Sequence, residues 1–292
     1  MQKAPQTGLT QSSMSQTWTR DQNSLVPSIG GRPLATYASK QLKDPFLTQE
    51  PGETSHNGEF TILYANCTSF SDKIKSHLFS KDCRRAFSGF CFVETKVKPE
   101  NVYSIKDLFE QHQLHVVCNA GQASSSGDGI HGGEIVGVNS NLNFKGIDPK
   151  ILKRIATETG APLRFAAGIL RFKGCSILIL TLYLRCSVGM DGDNDTRMKQ
   201  ASILTHLTGI PFIFVGDFNM KSEDLLASGW PQYLHASVVN PADCTTTLRH
   251  TMGRVIDYVL ISDSIIGTLK FAPAVLRIPL YTALRDDHQV AQ

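Results

Sequence analysis

The sequence predicts an α/β sandwich, two β-sheets face to face with helices outside. Three observations lead there. From about residue 59, short runs rich in β-branched and aromatic residues alternate with amphipathic helical segments. Two of the runs, LRFAAGILRF and CSILILTLYL, are separated only by Lys173-Gly174 and read as an antiparallel hairpin. Polar residues also gather at the ends of several apolar runs. A doubly wound parallel sheet is the alternative, and the hairpin counts against it.

Taken in order, EFTILYANCTSF reads as a strand and SDKIKSHLF as a short helix with Ile74 and Leu78 on one face. SGFCFVETKV is the next strand. In SIKDLFEQHQ, Ser104 followed by Asp107 suggests a capping box and a helix opening at Ser104. LHVVCNA and GEIVGV read as strands on either side of a Gly/Ser loop, residues 121–133. ILKRIATETG is helical and stops at Gly160, and DTRMKQASILTHLTG is a helix stopped by Gly209. PFIFVGDFN and RVIDYVLIS complete the strands. Residues 1–58, rich in Gln, Ser and Thr without a regular apolar period, read as a disordered leader or linker; residues 59–292 are the domain.

Composition excludes some classes. Of 292 residues 41% are hydrophobic and 19% charged, values of a soluble globular protein. The most apolar stretch, Cys175–Leu184, is too short to cross a bilayer, so no membrane partner is expected. Seven cysteines, an odd number with no C-x-x-C pair, argue against a zinc knuckle or a disulfide framework and predict an intracellular setting. A net charge of +3 gives no strong field for polyanions, leaving only local patches such as Lys73, Lys75, Lys81, Arg84 and Arg85.

The chemistry is expected where apolar runs end. In VGDFNM, Asp217 and Asn219 project from one face of a strand end, because side chains alternate with a period of two. Asn66, Glu94 and Tyr183 close three other strands, and Asp287-His288 lie near the end of the sequence. Asp257 interrupts the apolar run RVI-DYVLIS. A buried carboxylate needs a partner, and His288 is a candidate.

The series YANCTSF, VETK, LTLY, VGDFNM, RVIDYVLIS and DDHQV resembles the endonuclease/exonuclease/phosphatase superfamily, the DNase I-like fold, over residues 59–292. It looks most like the endonuclease domains of LINE-type retrotransposons, an impression strengthened by the short stretch with Thr245–Thr247 between VGDFNM and IDYVLIS. The resemblance implies a four-layered α/β sandwich and a Mg²⁺ cofactor, with Mn²⁺ a possible substitute. Glu94 would be the principal metal ligand, with Asn66 and Asp287 beside the metal or the phosphate. His288 would be the general base or orient the attacking water, and Asp257 would hold its imidazole. Asp217 and Asn219 would position water and stabilise the transition state, while Tyr183 would donate to a phosphate oxygen. Asn66, Tyr183 and Asn219 would thus touch the substrate.

The implied activity is Mg²⁺-dependent hydrolysis of DNA by nicking one strand, in the nucleus, on a parent chain that also carries a reverse transcriptase. RNA, abasic DNA or a small phosphoester are alternative substrates, and an inactive nucleic-acid-binding remnant is the rival from another class. Relatives continue past the Asp-His pair, so the domain is expected to lack its last strand. The chemistry agrees with these roles. Phosphodiester hydrolysis needs a water nucleophile, a base and groups that meet charge on the phosphate oxygens. Mg²⁺ suits a site that offers one or two carboxylates.

Overall fold

Two mixed β-sheets stack face to face, as the computed structural model describes over residues 60–123, 129–172, 174–241, 245 and 254–268. It also describes the backbone of a small antiparallel sheet formed by Trp18–Asp21, Ser24–Ile29 and Arg32–Pro33. The first large sheet holds β1 (Ile62–Asn66), β2 (Gly89–Val93), β3 (Leu114–Asn119) and β4 (Glu134–Asn139). Their order is β1-β2-β4-β3, with only β1 and β2 parallel. The second holds β5 (Asn143–Gly146), β6 (Phe165–Phe172), β7 (Cys175–Tyr183), β8 (Phe212–Asp217), β9 (Ala236–Val239) and β10 (Asp257–Ser262). Its order is β5-β6-β7-β8-β10-β9, with only β7 and β8 parallel.

Period-two alternation divides each strand between two cores. Cys91, Val136, Val138, Ala166, Leu170, Ile179 and Val215 pack between the sheets. Their chain neighbours point outward and are covered by helices. On the first sheet α1 (Asp72–Leu78), α2 (Lys81–Ala86) and α3 (Val102–Gln111) cover Leu63, Phe90, Phe92 and Ile135. On the second, α4 (Pro149–Thr159) and α5 (Asp193–Thr208) bring Ile155, Met198, Ala201 and Leu204 against Phe165, Leu178, Leu180, Phe212 and Phe214. Two short helices, α6 (Ser222–Ala227) and α7 (Trp230–Tyr233), lead into β9. The layers run helix, sheet, sheet, helix, as expected.

Local chemistry explains the helix ends. Asp148 caps α4 by accepting from the Lys150 N–H at 2.8 Å, Pro149 occupies the first position, and Gly160 closes the helix at φ 63°. The capping box expected at Ser104 does not form. A 3₁₀ turn, Pro99–Asn101, starts the helix earlier, and Ser104 lies inside it, donating to the Asn101 carbonyl at 2.9 Å. Proline at the first position outweighs a serine three residues downstream, because its fixed φ already suits a helical turn. Asp257 does not interrupt a strand either: β10 begins at it. The edge strands β5 and β9 and helices α2, α6 and α7 were not foreseen.

Candidate active site

Following the inward-facing positions toward one end of the sandwich, apolar side chains give way to polar ones. On β8 the series runs from Val215 to Asp217, on β7 from Ile179 through Thr181 to Tyr183, and on β10 from Val259 to Asp257. On β1 it runs from Ile62 through Tyr64 to Asn66, on β3 from Val117 to Asn119, and on β4 from Val136 to Glu134. Parallel and antiparallel pairings bring all of these to one mouth between the sheets. Tyr183, Asp217 and Asp257 share a single rung, Tyr183 opposite Asp217 and Asp217 opposite Asp257. Side chains on one rung stand about 5 Å apart.

Hydrogen bonds tie the two sheets together across this mouth. Asn66 Nδ2 donates to Asp217 Oδ2 at 3.0 Å, and the Asn219 N–H donates to Asp217 Oδ1 at 2.9 Å. Tyr64 donates its hydroxyl to Asp257 Oδ1 at 2.9 Å. Asn219 Nδ2 donates to the Leu184 carbonyl at 2.8 Å, and its side chain also hydrogen-bonds Tyr183. Thr245 bonds the Asp257 carboxylate, while its Oγ1 accepts from the Ile256 and Asp257 N–H groups at 3.0 and 3.2 Å. Tyr183 is steadied from behind, where Arg197 Nη1 donates to its carbonyl. Asn194, fully buried, bridges Arg185 and the Gly189 carbonyl in the loop that follows.

Glu94 leaves β2 just beyond Val93 with φ 54°, a left-handed conformation uncommon for glutamate. The turn is held by the Thr95 N–H on the Gly133 carbonyl at 3.0 Å and the Lys96 N–H on the Gly132 carbonyl at 2.8 Å. Thr68 and Asn219, on the neighbouring turns, also have positive φ, at 54° and 52°. Such backbone costs on the order of 1–3 kcal/mol per residue and persists where surrounding contacts overdetermine it, often at functional sites.

The electrostatics follow from crowding. Burial, then the neighbouring Asp257 carboxylate, push Asp217 up to about 7, against the hydrogen bonds from Asn66 and Asn219. Burial also raises Asp257, opposed by Thr245 and Tyr64. Tyr183 is pushed up to about 12 by burial and by the Glu94 and Asp217 carboxylates, so it remains a proton donor. Tyr64, half-buried, is held in its protonated form by desolvation and by the Asp257 and Asp217 carboxylates, and serves as a donor to Asp257. Tyr64→Phe removes one of the two side-chain donors to a half-buried carboxylate. It is expected to cost about 1.5–3 kcal/mol in a urea melt at pH 7, and a loss below about 0.5 kcal/mol would show Asp257 supported without it.

The structure thus brings together Asn66, Glu94, Tyr183, Asp217, Asn219 and Asp257. Asp287 and His288 lie outside the described residues. Tyr64 and Thr245 are the partners of Asp257 that sequence reasoning missed, since a strand pattern does not say which strand of the other sheet faces it. A second missed group adjoins them. Glu134, 1% exposed, accepts from Asn119 Nδ2 at 2.7 Å, and burial lifts it to about 7 although Arg164 and Arg197 oppose the shift. Its place on the inward face of GEIVGV was the available signal.

Neither Glu94 nor Asp217 is in an ion pair among the described residues. Carboxylates converging without a protein cation form a donor set that fits an added hard cation. No group of three or more His, Cys, Asp or Glu that could hold a metal ion stands together among the described residues.

No protein-family model matches the chain, and neither does any curated protein. Solved structures do. The AP endonuclease LMAP from Leishmania major is 12% identical with a TM-score of 0.53, covering 80% of this chain and 91% of that one. The human Nocturnin catalytic domain is 17% identical with a TM-score of 0.50, covering 70% and 82%. The endonuclease domain of TRAS1, a telomere-specific non-LTR retrotransposon, is 14% identical with a TM-score of 0.47, covering 70% and 86%, too slight a likeness to bear on function. The fold is the DNase I-like α/β sandwich of the endonuclease/exonuclease/phosphatase proteins.

Proposed function

We propose that the protein is a phosphodiester hydrolase whose substrate is DNA, nicked on one strand with Mg²⁺ as cofactor. The observation that carries this reading is the bond from Asn66 Nδ2 to Asp217 Oδ2, which joins the two sheets where Tyr183, Asn219, Asp257 and Glu94 converge. The likeness to an AP endonuclease and to Nocturnin supports it at the level of fold. Fold alone does not choose the substrate.

Each residue then has a task. Asp217, fixed through both oxygens, aligns a water for attack on phosphorus. Tyr183 and the Asn66 and Asn219 amides offer donors to the non-bridging oxygens as charge builds there. Glu94 would hold Mg²⁺, with Asn66 and Asp287 beside it; when bound, the ion supplies Lewis-acid charge to the phosphate and leaving oxygen. His288 is assigned as base on the resemblance, with Asp257 holding its imidazole while Tyr64 and Thr245 hold Asp257.

Supercoiled plasmid incubated with the full chain is expected to become open circular with Mg²⁺ and to stay closed in EDTA. Cleavage of RNA but not plasmid would move the substrate from DNA to RNA. A cooperatively melting protein that leaves plasmid, RNA and a small diester intact would end the reading.

A further inference from the structure

Arg164 extends β6 by one residue beyond Phe165, which pairs with Leu182, so it comes to lie beside Tyr183. It falls on the same face as Ala166, which packs between the sheets. Its guanidinium reaches the turn that leads into β4 of the opposite sheet, where Nη2 stands 2.9 Å from the position a Cβ on Gly132 would take. Half-buried there, Arg164 makes no hydrogen bond or ion pair among the described residues. A guanidinium carries five N–H donors, and removing them from water without acceptors is costly.

A second guanidinium stands near it. Arg197, 7% exposed, spends Nη1 on the Tyr183 carbonyl and lies 6.0 Å from the centre of the Tyr183 ring. Two acids are in reach of this pair. Asp193 is bonded by Arg185 at 3.1 Å, and among the described residues Glu134 is bonded by Asn119 and by neither arginine, its Oε1 buried without a hydrogen-bond partner. Neither guanidinium is in an ion pair with a carboxylate among the described residues. Burial and then the like charge of Arg164 weaken the hold of Arg197 on its proton, against the opposing pull of Asp193 and Glu134, which places the two guanidinium groups close enough to repel.

We propose that Arg164, with Arg197 beside it, forms an anion subsite that takes a second phosphate of the substrate, next along the chain from the one at Tyr183 and Asn219. A guanidinium meets two phosphate oxygens at once, which suits a phosphodiester backbone. The substrate class is then a polynucleotide rather than a compound with a single phosphate. The identity of the neighbouring phosphate rests on the phosphodiesterase reading; the anion subsite does not.

The test measures binding apart from catalysis. Fluorescence anisotropy of the full chain with a labelled DNA duplex, in EDTA, gives the dependence of affinity on KCl. Arg164→Gln is expected to bind severalfold more weakly and to flatten the logarithmic salt slope by about 0.9, the value of one phosphate contact. Arg164→Lys, which keeps the charge, is expected to retain the slope, and thermal melts establish that both variants fold. With Mg²⁺, hydrolysis of bis(4-nitrophenyl) phosphate, which has one phosphate, is expected to be unchanged in Arg164→Gln. An unchanged slope, or a parallel loss on the small diester, would overturn the subsite. If the parent binds duplex but hydrolyses neither substrate, the phosphodiesterase reading falls while the slope still decides the subsite.

Discussion

Asp217→Asn is expected to lose at least about a thousandfold in plasmid nicking while becoming the less pH-sensitive fold. The activity loss follows from position: Asp217 is the junction to which Asn66 and the Asn219 N–H both bond. Removing one preorganised polar group from a phosphoryl or acyl transfer site costs about 10²–10³, and here the group also fixes two neighbours. The stability effect has a definite sign. In the folded chain Asp217 is raised from 3.8 to about 7, so the native state holds its proton more tightly than the unfolded chain does. The native state binds more protons between those two values, and stability therefore falls as pH rises through that window. Above about pH 7 the full cost of the buried charge is present. Asparagine never ionises and escapes it. In EDTA, the parent is expected to lose about 2–4 kcal/mol more than the variant between pH 5 and pH 8. Glu134, also raised to about 7, contributes equally to both proteins and cancels. Parallel pH curves would show Asp217 ionised freely in the fold; activity within tenfold of the parent would remove it from the mechanism.

Gly216→Ala should be the most damaging small substitution near the site. A Cβ at residue 216 would stand 2.3 Å from the Leu182 carbonyl oxygen, a backbone atom of the neighbouring parallel strand. That oxygen cannot withdraw without dragging the next rung, which holds Tyr183, Asp217 and Asp257. Overpacking of this kind costs about 3 kcal/mol or more, some 10 °C in Tm for a domain of this size. Nicking should fall as well, even at temperatures where the variant is folded. Gly209 is the control. It adopts φ 62° with open space around it, so Gly209→Ala meets only backbone strain and should cost about 1 kcal/mol. Equal melting temperatures for the two variants would show that the strands separate freely at Gly216.

The glycine of VGDFNM is thus explained by something the sequence does not contain. The motif announces a strand end, and alternation places Asp217 on one face of it. Why glycine must precede it depends on the carbonyl of a strand 34 positions earlier. Asp257 makes the same point. Its apolar surroundings announced a carboxylate that needs partners, but Tyr64 lies 193 residues away and on the other sheet. Ser104 shows a local signal overruled by a stronger local one, Pro99.

What the sequence by itself determined was the main strands and helices, though not β5, β9, α2, α6 or α7, the inward period of the strands, and the residues Asn66, Glu94, Tyr183, Asp217 and Asn219 at strand ends. Those are short-range properties, carried by side-chain size, branching and a period of two or 3.6. Tertiary structure alone decided which strand ends meet, and with that the protonation of Asp217, the donors to Asp257 and the approach of Arg164 to Arg197. Desolvation and Coulomb interaction depend on distance through space and on the exclusion of water, and neither exists until the two sheets close on one another.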